Sequence, residues 1–267
     1  SCYILITRKP TDRRSGSSSY SNLTRKTLVP KETLSEQRMQ EFLDSVGQFD
    51  RILSDSGFIK PRRMLSEELT GTKKKTGLLE KYCFLSSEQQ PVITDIHLKD
   101  EIRIGNQFCQ MFSLGDVEDL PALCGSRINY DKYSTDKTKF SVGFASPIGQ
   151  LLSCNHIYNQ YIFIEDVQKT IKQLEGKRLR LQSLATYSRE NAISRDATND
   201  FLNEAIASQR MPVKAHFNVM IWTDNKTELK ELKTQVSSAL AQMDAVAKME
   251  TDGAPQLFWS ALPGNEA

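Results

Sequence analysis

Residues 213–243 predict a strand and a helix that must be buried together. Over residues 213–222 an apolar residue recurs at every second position, which is the period of a β-strand. The apolar face of this predicted strand comprises Val213, Ala215, Phe217, Val219 and Ile221. Residues 225–228 then form a helix-capping pattern. The helix that follows carries an apolar stripe of Leu229, Leu232, Val236, Ala239 and Met243. An amphipathic helix after a strand with one apolar face predicts a helix packed on a sheet.

The neighbouring segments extend this pattern in both directions. Residues 161–164 predict a strand, residues 167–185 a long helix, and residues near 195–208 a second helix. Arg178 interrupts the apolar face of the long helix, and residues 245–250 alternate as a last strand. The apolar positions of the two helices are Val167, Ile171, Leu174, Leu181 and Ala185, then Ala197, Phe201 and Ala205. The order predicts an α+β fold with mixed or antiparallel sheets, helices packed on one face, and a ferredoxin-like split βαβ arrangement in the C-terminal third.

The first part of the chain has a less regular pattern. Residues 2–8 predict a strand, and the Ser-rich, basic stretch 10–29 predicts a mobile loop. A capping box at residues 33–36 begins a helix that ends at Gly57. The apolar face of that helix comprises Met39, Leu43, Val46, Phe49 and Leu53.

Shorter elements are predicted between this helix and the C-terminal third. A further helix begins at Ser66 and resumes over residues 78–84. Short apolar runs separated by Asn, Asp, Gly and Pro predict strands and turns from residue 92 to residue 158. These runs include residues 102–104, 108–112 and 140–144. We therefore predict a strand and helix region over 1–158, with a β-rich second half, and an α/β sandwich subdomain over 159–267.

Composition indicates a globular domain kept in a reducing compartment. The 267 residues are 39% hydrophobic and 25% charged, and the formal net charge of +2 predicts no general electrostatic attraction to nucleic acid. No apolar stretch approaches the ~18 residues of a membrane-spanning helix. Both ends of the chain look like boundaries within a longer protein. Five widely spaced cysteines favour reduced thiols, namely Cys2, Cys83, Cys109, Cys124 and Cys154.

Motifs for nucleotide or metal binding do not fit. The loop Gly71–Gly77 has the composition of a phosphate loop, but its glycines are six apart and Leu78 follows. Gly176 precedes two basic residues inside a helical stripe and has no partner glycine. The three histidines, His97, His156 and His216, are isolated in sequence. Cys154 and His156 alternate on a predicted strand, yet structural zinc sites draw their ligands in close pairs. The sequence therefore predicts no cofactor and no metal in this chain.

Motifs for nucleophilic catalysis do not fit either. Ser134 and Lys137 have Ser-x-x-Lys spacing, but the further motifs of that enzyme class are absent. Ser146 comes one residue too late after Gly143 for a nucleophile elbow. We therefore predict no catalytic residue. Basic clusters leave one alternative open, a nucleic-acid-binding module, and they lie at residues 8–14, 60–63, 73–75 and 177–180.

Four segments resemble one protein family, in the right order along nearly the whole chain. They are residues 2–9, 42–58, 112–121 and 258–265. Together they resemble the N-terminal region of TraG proteins of conjugative transposons, which are relatives of the large type IV secretion ATPases. The last segment is the most specific, and it comprises Phe258, Trp259, Ser260, Ala261, Leu262, Pro263, Gly264 and Asn265.

The resemblance implies a non-catalytic docking and regulatory domain of a conjugation ATPase. A full-length relative carries Walker A and B motifs downstream of Asn265, binds ATP and Mg²⁺, and forms oligomers, often hexamers. It lies at the cytoplasmic face of the inner membrane, where the N-terminal domain contacts inner-membrane channel subunits. Direct DNA binding by this fragment is not implied. The predicted junction to the missing ATPase domain comprises Phe258, Trp259, Leu262, Pro263, Gly264 and Asn265.

Overall fold

The computed structural model describes most of the C-terminal half of the chain and parts of the N-terminal half. The described residues are 2–8, 36–57, 59–85, 94–99, 101–114, 119–120, 145–263 and 265. They contain eight α-helices and six β-strands. The chain divides into two compact units, one of Ser1–Val92 with Leu262–Ala267 and one of Ile93–Ala261.

Among its described residues, the first unit contains three helices, all of them predicted. They are α1 (Glu36–Asp55), α2 (Ser66–Thr70) and α3 (Leu78–Phe84). Gly57 follows α1 with a φ of 74°, a left-handed conformation that glycine adopts without strain. No residue of α1 is buried, so its predicted apolar face is only partly covered. The loop predicted over residues 10–29 and the cap at residues 33–35 lie outside the described residues.

The strand predicted over residues 2–8 is wrong. These residues belong to no strand, and the side chains of Tyr3, Ile4 and Leu5 are exposed by more than half. A strand is defined by hydrogen bonds to a neighbour, and no described strand pairs with this segment. The local β-propensity of the sequence was therefore not sufficient to form a strand.

The second unit is an open antiparallel sheet with five helices among its described residues. The strands are β1 (Ile96–His97), β2 (Arg103–Ile104), β3 (Gln107–Leu114), β4 (Asn155–Ile164), β5 (Val213–Thr223) and β6 (Lys248–Met249). The helices are α4 (Ser146–Leu151), α5 (Val167–Leu184), α6 (Arg189–Ala207), α7 (Lys226–Ala241) and α8 (Ala254–Ser260). The strand order is β1-β2-β3-β5-β4, and β6 pairs with β3. The predicted α+β class with an antiparallel sheet is confirmed.

The predicted split βαβ arrangement is present, and it begins further upstream than the C-terminal third. Strands β3, β4, β5 and β6 follow one another in the chain, and they stand in the sheet in the order β6-β3-β5-β4. All of these pairs are antiparallel. Helix α4 connects the first two strands, α7 connects the last two, and the two helices contact each other. This is the ferredoxin-like order, with β3 as its first strand.

The hydrophobic core lies between the sheet and α7. Helix α7 contacts β3 and β5, and its predicted apolar stripe is buried. The Asn225 side chain caps α7 by accepting a hydrogen bond from the Thr227 amide (3.0 Å), as the sequence predicted. Alternate residues of β5 face this core, and they are Phe217, Val219 and Ile221. The predicted face of the strand is confirmed where a helix covers it.

Several predicted boundaries are wrong by a few residues. Residues 146–151 form a helix within the region predicted to be β-rich, because Pro147 suits the first turn of a helix. Strand β4 begins at Asn155, six residues before the predicted start, since its early positions are polar. The run 140–144 lies outside the described residues. The division at residue 158 stays a prediction, because compactness within one chain does not show which part folds alone.

Helix α6 buries only one of its three predicted apolar positions. It begins at Arg189, and its buried residues are Ala205, which was predicted, and Leu202, which was not. Ala197 and Phe201 are exposed, so their predicted burial is wrong. Phe201 lies one position from Leu202, a rotation of about 100° on a helix. The apolar pattern predicted the helix correctly but placed Phe201, and not Leu202, on its buried side.

Candidate functional site

The glycine-rich loop of residues 71–77 is a tight structural turn. Thr72 and Lys75 exchange backbone hydrogen bonds of 2.8 and 3.2 Å across it. A Cβ atom at Gly77 would lie 2.2 Å from the backbone nitrogen of Gly71, so the two glycines permit close backbone packing. The Gly77 amide already donates to the Glu80 carboxylate (3.0 Å). The loop therefore offers no amide cradle for a phosphate.

The residues considered for metal binding or catalysis are dispersed or engaged elsewhere. His156 Nδ1 lies 2.9 Å from the Cys154 carbonyl oxygen, and the Cys154 side chain packs against the core. Within the described ranges no group of three or more His, Cys, Asp or Glu residues could hold a metal ion. Ser146 begins helix α4, while Ser134, Lys137 and Gly143 lie outside the described residues.

A polar cluster lies on the sheet face opposite α7. Ser113 of β3 pairs across the sheet with Asn218 of β5, and both side chains are buried. The Ser113 hydroxyl donates to the Glu250 carboxylate, and Asn218 accepts a hydrogen bond from Asn159 of β4 (2.9 Å). His216 lies two residues before Asn218 on the same face of β5. This cluster was not predicted from the sequence, although polar residues at 216 and 218 alternate with the apolar positions of the strand.

An open cleft of about 390 Å³ gives access to this cluster. It is lined by Ser113, Asp119, His216, Lys248, Glu250 and Leu257. Lys248 forms an ion pair of 3.0 Å with Asp119, a residue that is 3% exposed on its side chain. Burial lowers the pKa of His216, while the nearby Glu250 carboxylate opposes that shift. Positive and negative groups are therefore already paired along the cleft.

The hydrogen bonds around Glu250 connect the segment after β6 to β3. The Ser113 hydroxyl donates to the Glu250 carboxylate, and the backbone amide of Glu250 donates to the Met111 carbonyl (2.9 Å). Gln110 also donates to the Glu250 carbonyl (3.0 Å). These bonds hold the segment after β6 against β3, so the polar groups fix the last strand of the sheet.

The predicted junction residues lie in and after α8. Phe258 is fully buried, and its ring meets the ring of Trp259 edge to face at 5.1 Å. Leu262 and Pro263 are half-buried, while Gly264 lies outside the described residues. The Asn265 amide donates to the Leu262 carbonyl (3.0 Å), which closes a turn. The division between the two units falls between Ala261 and Leu262, within this segment. A junction role stays a prediction.

The ends of β4 and β5 form a two-stranded ribbon with an exposed apolar face. Strand β3 pairs with β5 only from Phe217 onward, whereas β4 pairs with β5 along its whole length. The ribbon face comprises Ile162, Ile164, Val213 and Ala215. It continues the core face of β5 beyond the part contacted by α7. Ile164 is 71% exposed and Ile162 is 55% exposed, so this apolar surface is open.

Helices α5 and α6 form a hairpin between β4 and β5, and they pack on each other. No residue of α5 is buried. Asp166 caps α5 by accepting a hydrogen bond from the Lys169 amide (3.0 Å). Exposed apolar residues are concentrated at the far end of the hairpin, where Tyr187 is 86% exposed. The hairpin and the ribbon therefore both leave apolar side chains uncovered.

No helix within the described ranges is both long enough and apolar enough to cross a membrane. The thiols of Cys2, Cys83, Cys109 and Cys154 are free, and burial raises the pKa of the Cys109 thiol to about 12. Cys124 lies outside the described residues.

Comparison with known proteins gives one family match. Residues 145–267 match the CagE, TrbE, VirB family, a component of the type IV transporter system. The matched segment contains α4, β4, the helical hairpin, β5, α7, β6 and α8. No curated protein matches the chain. The match covers somewhat less than half of the chain, and it shows that residues 145–267 are similar to components of the type IV transporter system.

Proposed function

We propose that this chain is a non-catalytic docking and regulatory domain of a type IV secretion ATPase that serves conjugative transfer. It contacts inner-membrane subunits of the transfer channel from the cytoplasmic face of the membrane. The family match supports a role in a type IV transporter. The pairing of Ser113 with Glu250 and of Asp119 with Lys248 supports a structural use of the polar cluster. The parent protein is a TraG-like ATPase of a conjugative transposon, with ATP and Mg²⁺ bound outside this chain.

The ribbon face is the observation that carries the docking role. Ile162 lies opposite Ala215 and Ile164 lies opposite Val213, so the four side chains form one continuous surface. Apolar side chains on a sheet face lose favourable burial while they stay in water. A single exposed apolar residue is ordinary on a protein surface, whereas a contiguous patch marks an interaction site. We expect a channel subunit to cover this face with apolar residues of its own.

The junction segment supplies the regulatory part of the proposal. Phe258 anchors α8 in the sheet unit, and the chain leaves that unit after Ala261. A turn closed by the Asn265 amide follows directly. Movement of an ATPase domain attached after Asn265 is then transmitted to α8, or docking at the ribbon face is transmitted to the ATPase.

A pull-down with matched aspartate substitutions tests the docking role. The chain is immobilised and exposed to the inner-membrane channel subunits encoded beside it. Val213→Asp places a charge in the ribbon face, and Val246→Asp makes the same change at a position that is 56% exposed elsewhere. Because a buried unpaired charge is costly in an interface, we expect capture to fall about tenfold or more with Val213→Asp and to remain with Val246→Asp.

Two results would contradict the proposal in different ways. Equal capture by both variants would place docking away from the ribbon face. No capture by the folded wild-type chain, checked by circular dichroism, would remove the docking role of this unit. Substituting Gly264→Val in the full-length protein tests the junction, and normal DNA transfer by that variant would contradict the coupling role.

A further inference from the structure

The tip of the helical hairpin presents apolar side chains to solvent. We define the hairpin tip as residues 177–193, which include the end of α5, the connection and the start of α6. Its exposed apolar residues are Leu179 (56%), Leu184 (48%), Tyr187 (86%) and Ile193 (62%). Each of these side chains is at least 48% exposed, so the contact between the two helices leaves them largely uncovered.

The hairpin tip is also the basic part of the hairpin. The tip has four basic residues, Lys177, Arg178, Arg180 and Arg189, and one acidic residue, Glu190. Its net charge is therefore +3. The rest of the hairpin, residues 167–176 and 194–207, has three basic and four acidic residues, a net charge of −1. In that part Arg195 is already paired with Asp196 at 2.7 Å. Positive charge and exposed apolar surface therefore coincide at one end.

The tip lies far from the sheet along the hairpin. The hairpin leaves the sheet after Ile164 and returns at Val213. Helix α5 has 18 residues, so its far end lies about 27 Å along the helix from the sheet. The tip is therefore the part of the hairpin that is furthest along the helices from the two connections to the sheet.

We propose that the hairpin tip is a membrane-contact element that seats on an anionic lipid bilayer. Tyr187 and Leu184 enter the interface between headgroups and acyl chains, where an aromatic ring with a polar end is favoured. Arg180 and Arg189 pair with the lipid phosphates, and this attraction acts within about 10 Å at 0.1 M salt. The contact lies in the plane of the interface and needs no membrane-spanning helix.

The chemistry favours lipid over nucleic acid. Single-stranded nucleic acid is held by several aromatic side chains on which bases stack. The hairpin tip has one aromatic residue, Tyr187, and its other exposed apolar residues are aliphatic. Aliphatic side chains gain nothing from phosphates but gain burial in acyl chains. An anionic bilayer uses both properties of the tip at once. This proposal is independent of the proposed channel partner, because binding to protein-free lipid vesicles can be measured without that partner.

Vesicle sedimentation of the whole chain tests this proposal. Vesicles of phosphatidylethanolamine with phosphatidylglycerol are compared with vesicles of phosphatidylcholine alone. The apolar variant is Leu184→Ser with Tyr187→Ser, and the charge variant is Arg180→Glu with Arg189→Glu. Matched controls make the same kinds of change at the hairpin base, Phe201→Ser for the apolar variant and Lys169→Glu with Lys172→Glu for the charge variant.

We expect binding to the anionic vesicles that weakens with salt, and about tenfold weaker binding for each tip variant. The controls should stay within about twofold of the wild type, because they leave the tip intact. Circular dichroism shows whether each variant keeps its helices. Absence of binding to anionic vesicles, or equal binding by folded tip variants, would overturn the proposal. Binding of a single-stranded oligonucleotide through the same arginines, without vesicle binding, would assign the tip to nucleic acid instead.

Discussion

The sheet with α7 and the helical hairpin use their apolar residues in opposite ways. In the sheet and α7, Phe112, Val219 and Val236 are completely buried, and all belong to one core cluster. In the hairpin, α5 has no buried residue and α6 has two, Leu202 and Ala205. Both regions lie in one unit, and the hairpin is inserted between β4 and β5. Burial therefore divides this unit into a part that determines stability and a part that is held by its own helix contact.

This difference bears on how the hairpin can move and what it can bind. Regions with few buried contacts open with a lower free energy than the core does. Two helices of this length depend on each other, since a single helix is marginal in water. The hairpin can therefore rearrange without unfolding the sheet. Its exposed residues can contact a partner at little cost to stability.

The largest expected difference is between two phenylalanines. Phe112→Ala removes a fully buried ring from β3, and we expect a loss of about 3–5 kcal/mol in the free energy of unfolding. Phe201→Ala removes a ring that is 48% exposed on α6, so the expected loss is below about 1 kcal/mol. Urea unfolding followed by circular dichroism measures both. Similar losses of unfolding free energy in the two variants would contradict the proposed difference between the core and the hairpin.

The sequence predicted best those elements whose apolar face is fully covered. The stripe of α7 was correct because Leu229, Leu232 and Val236 all face one core, so the helical period is complete. Strand β5 was correct for the same reason over Phe217 to Ile221. Where burial is incomplete, as at Phe201, the period identifies a helix without showing which side faces inward.

The polar cluster could not be predicted from sequence spacing. Asn159 and Asn218 meet because β4 and β5 pair in one register, and a shift by one residue would separate their side chains. Ser113 and Glu250 are also far apart in the chain. Their meeting depends on β6 pairing with β3 through only two residue pairs, Phe112 with Met249 and Ser113 with Lys248. No local pattern encodes such a short pairing.

A second pair of substitutions sharpens the comparison by keeping residue type and burial constant. Leu232 of α7 is 3% exposed and Leu202 of α6 is 4% exposed. Either leucine changed to alanine should cost about 2–3 kcal/mol, because each leaves a cavity. For Leu232→Ala we expect this loss in the free energy of global unfolding. With Leu202→Ala it should appear as faster hydrogen exchange in residues 167–207 only. Faster exchange throughout the sheet in the Leu202→Ala variant would show that hairpin and sheet unfold together.

The smallest expected effect concerns the polar face of the sheet and the charge of His216. The Asn218 carbonyl oxygen accepts from Asn159, so the Asn218 amide nitrogen faces His216 Nε2 at 3.5 Å. His216 Nε2 can therefore only accept a hydrogen bond from this amide, and a histidine nitrogen accepts only when the imidazole ring is neutral. Burial lowers the pKa of His216 in agreement with this arrangement, although Glu250 opposes the shift. Glu250, Lys248 and Asp119 line the same cleft.

A lowered pKa means that the unfolded chain binds a proton at His216 more readily than the folded chain does. The stabilising contribution of neutral His216 is therefore complete above the unfolded pKa of about 6.5, and it is lost as the pH falls through the folded pKa. We expect His216→Gln to reduce the loss of unfolding free energy between about pH 7.5 and pH 5.5. His97→Gln makes the same substitution at an exposed histidine of β1 and serves as the control. Urea titrations at both pH values measure the difference. Parallel losses in all three proteins would mean that proton binding at His216 does not affect the stability of this face.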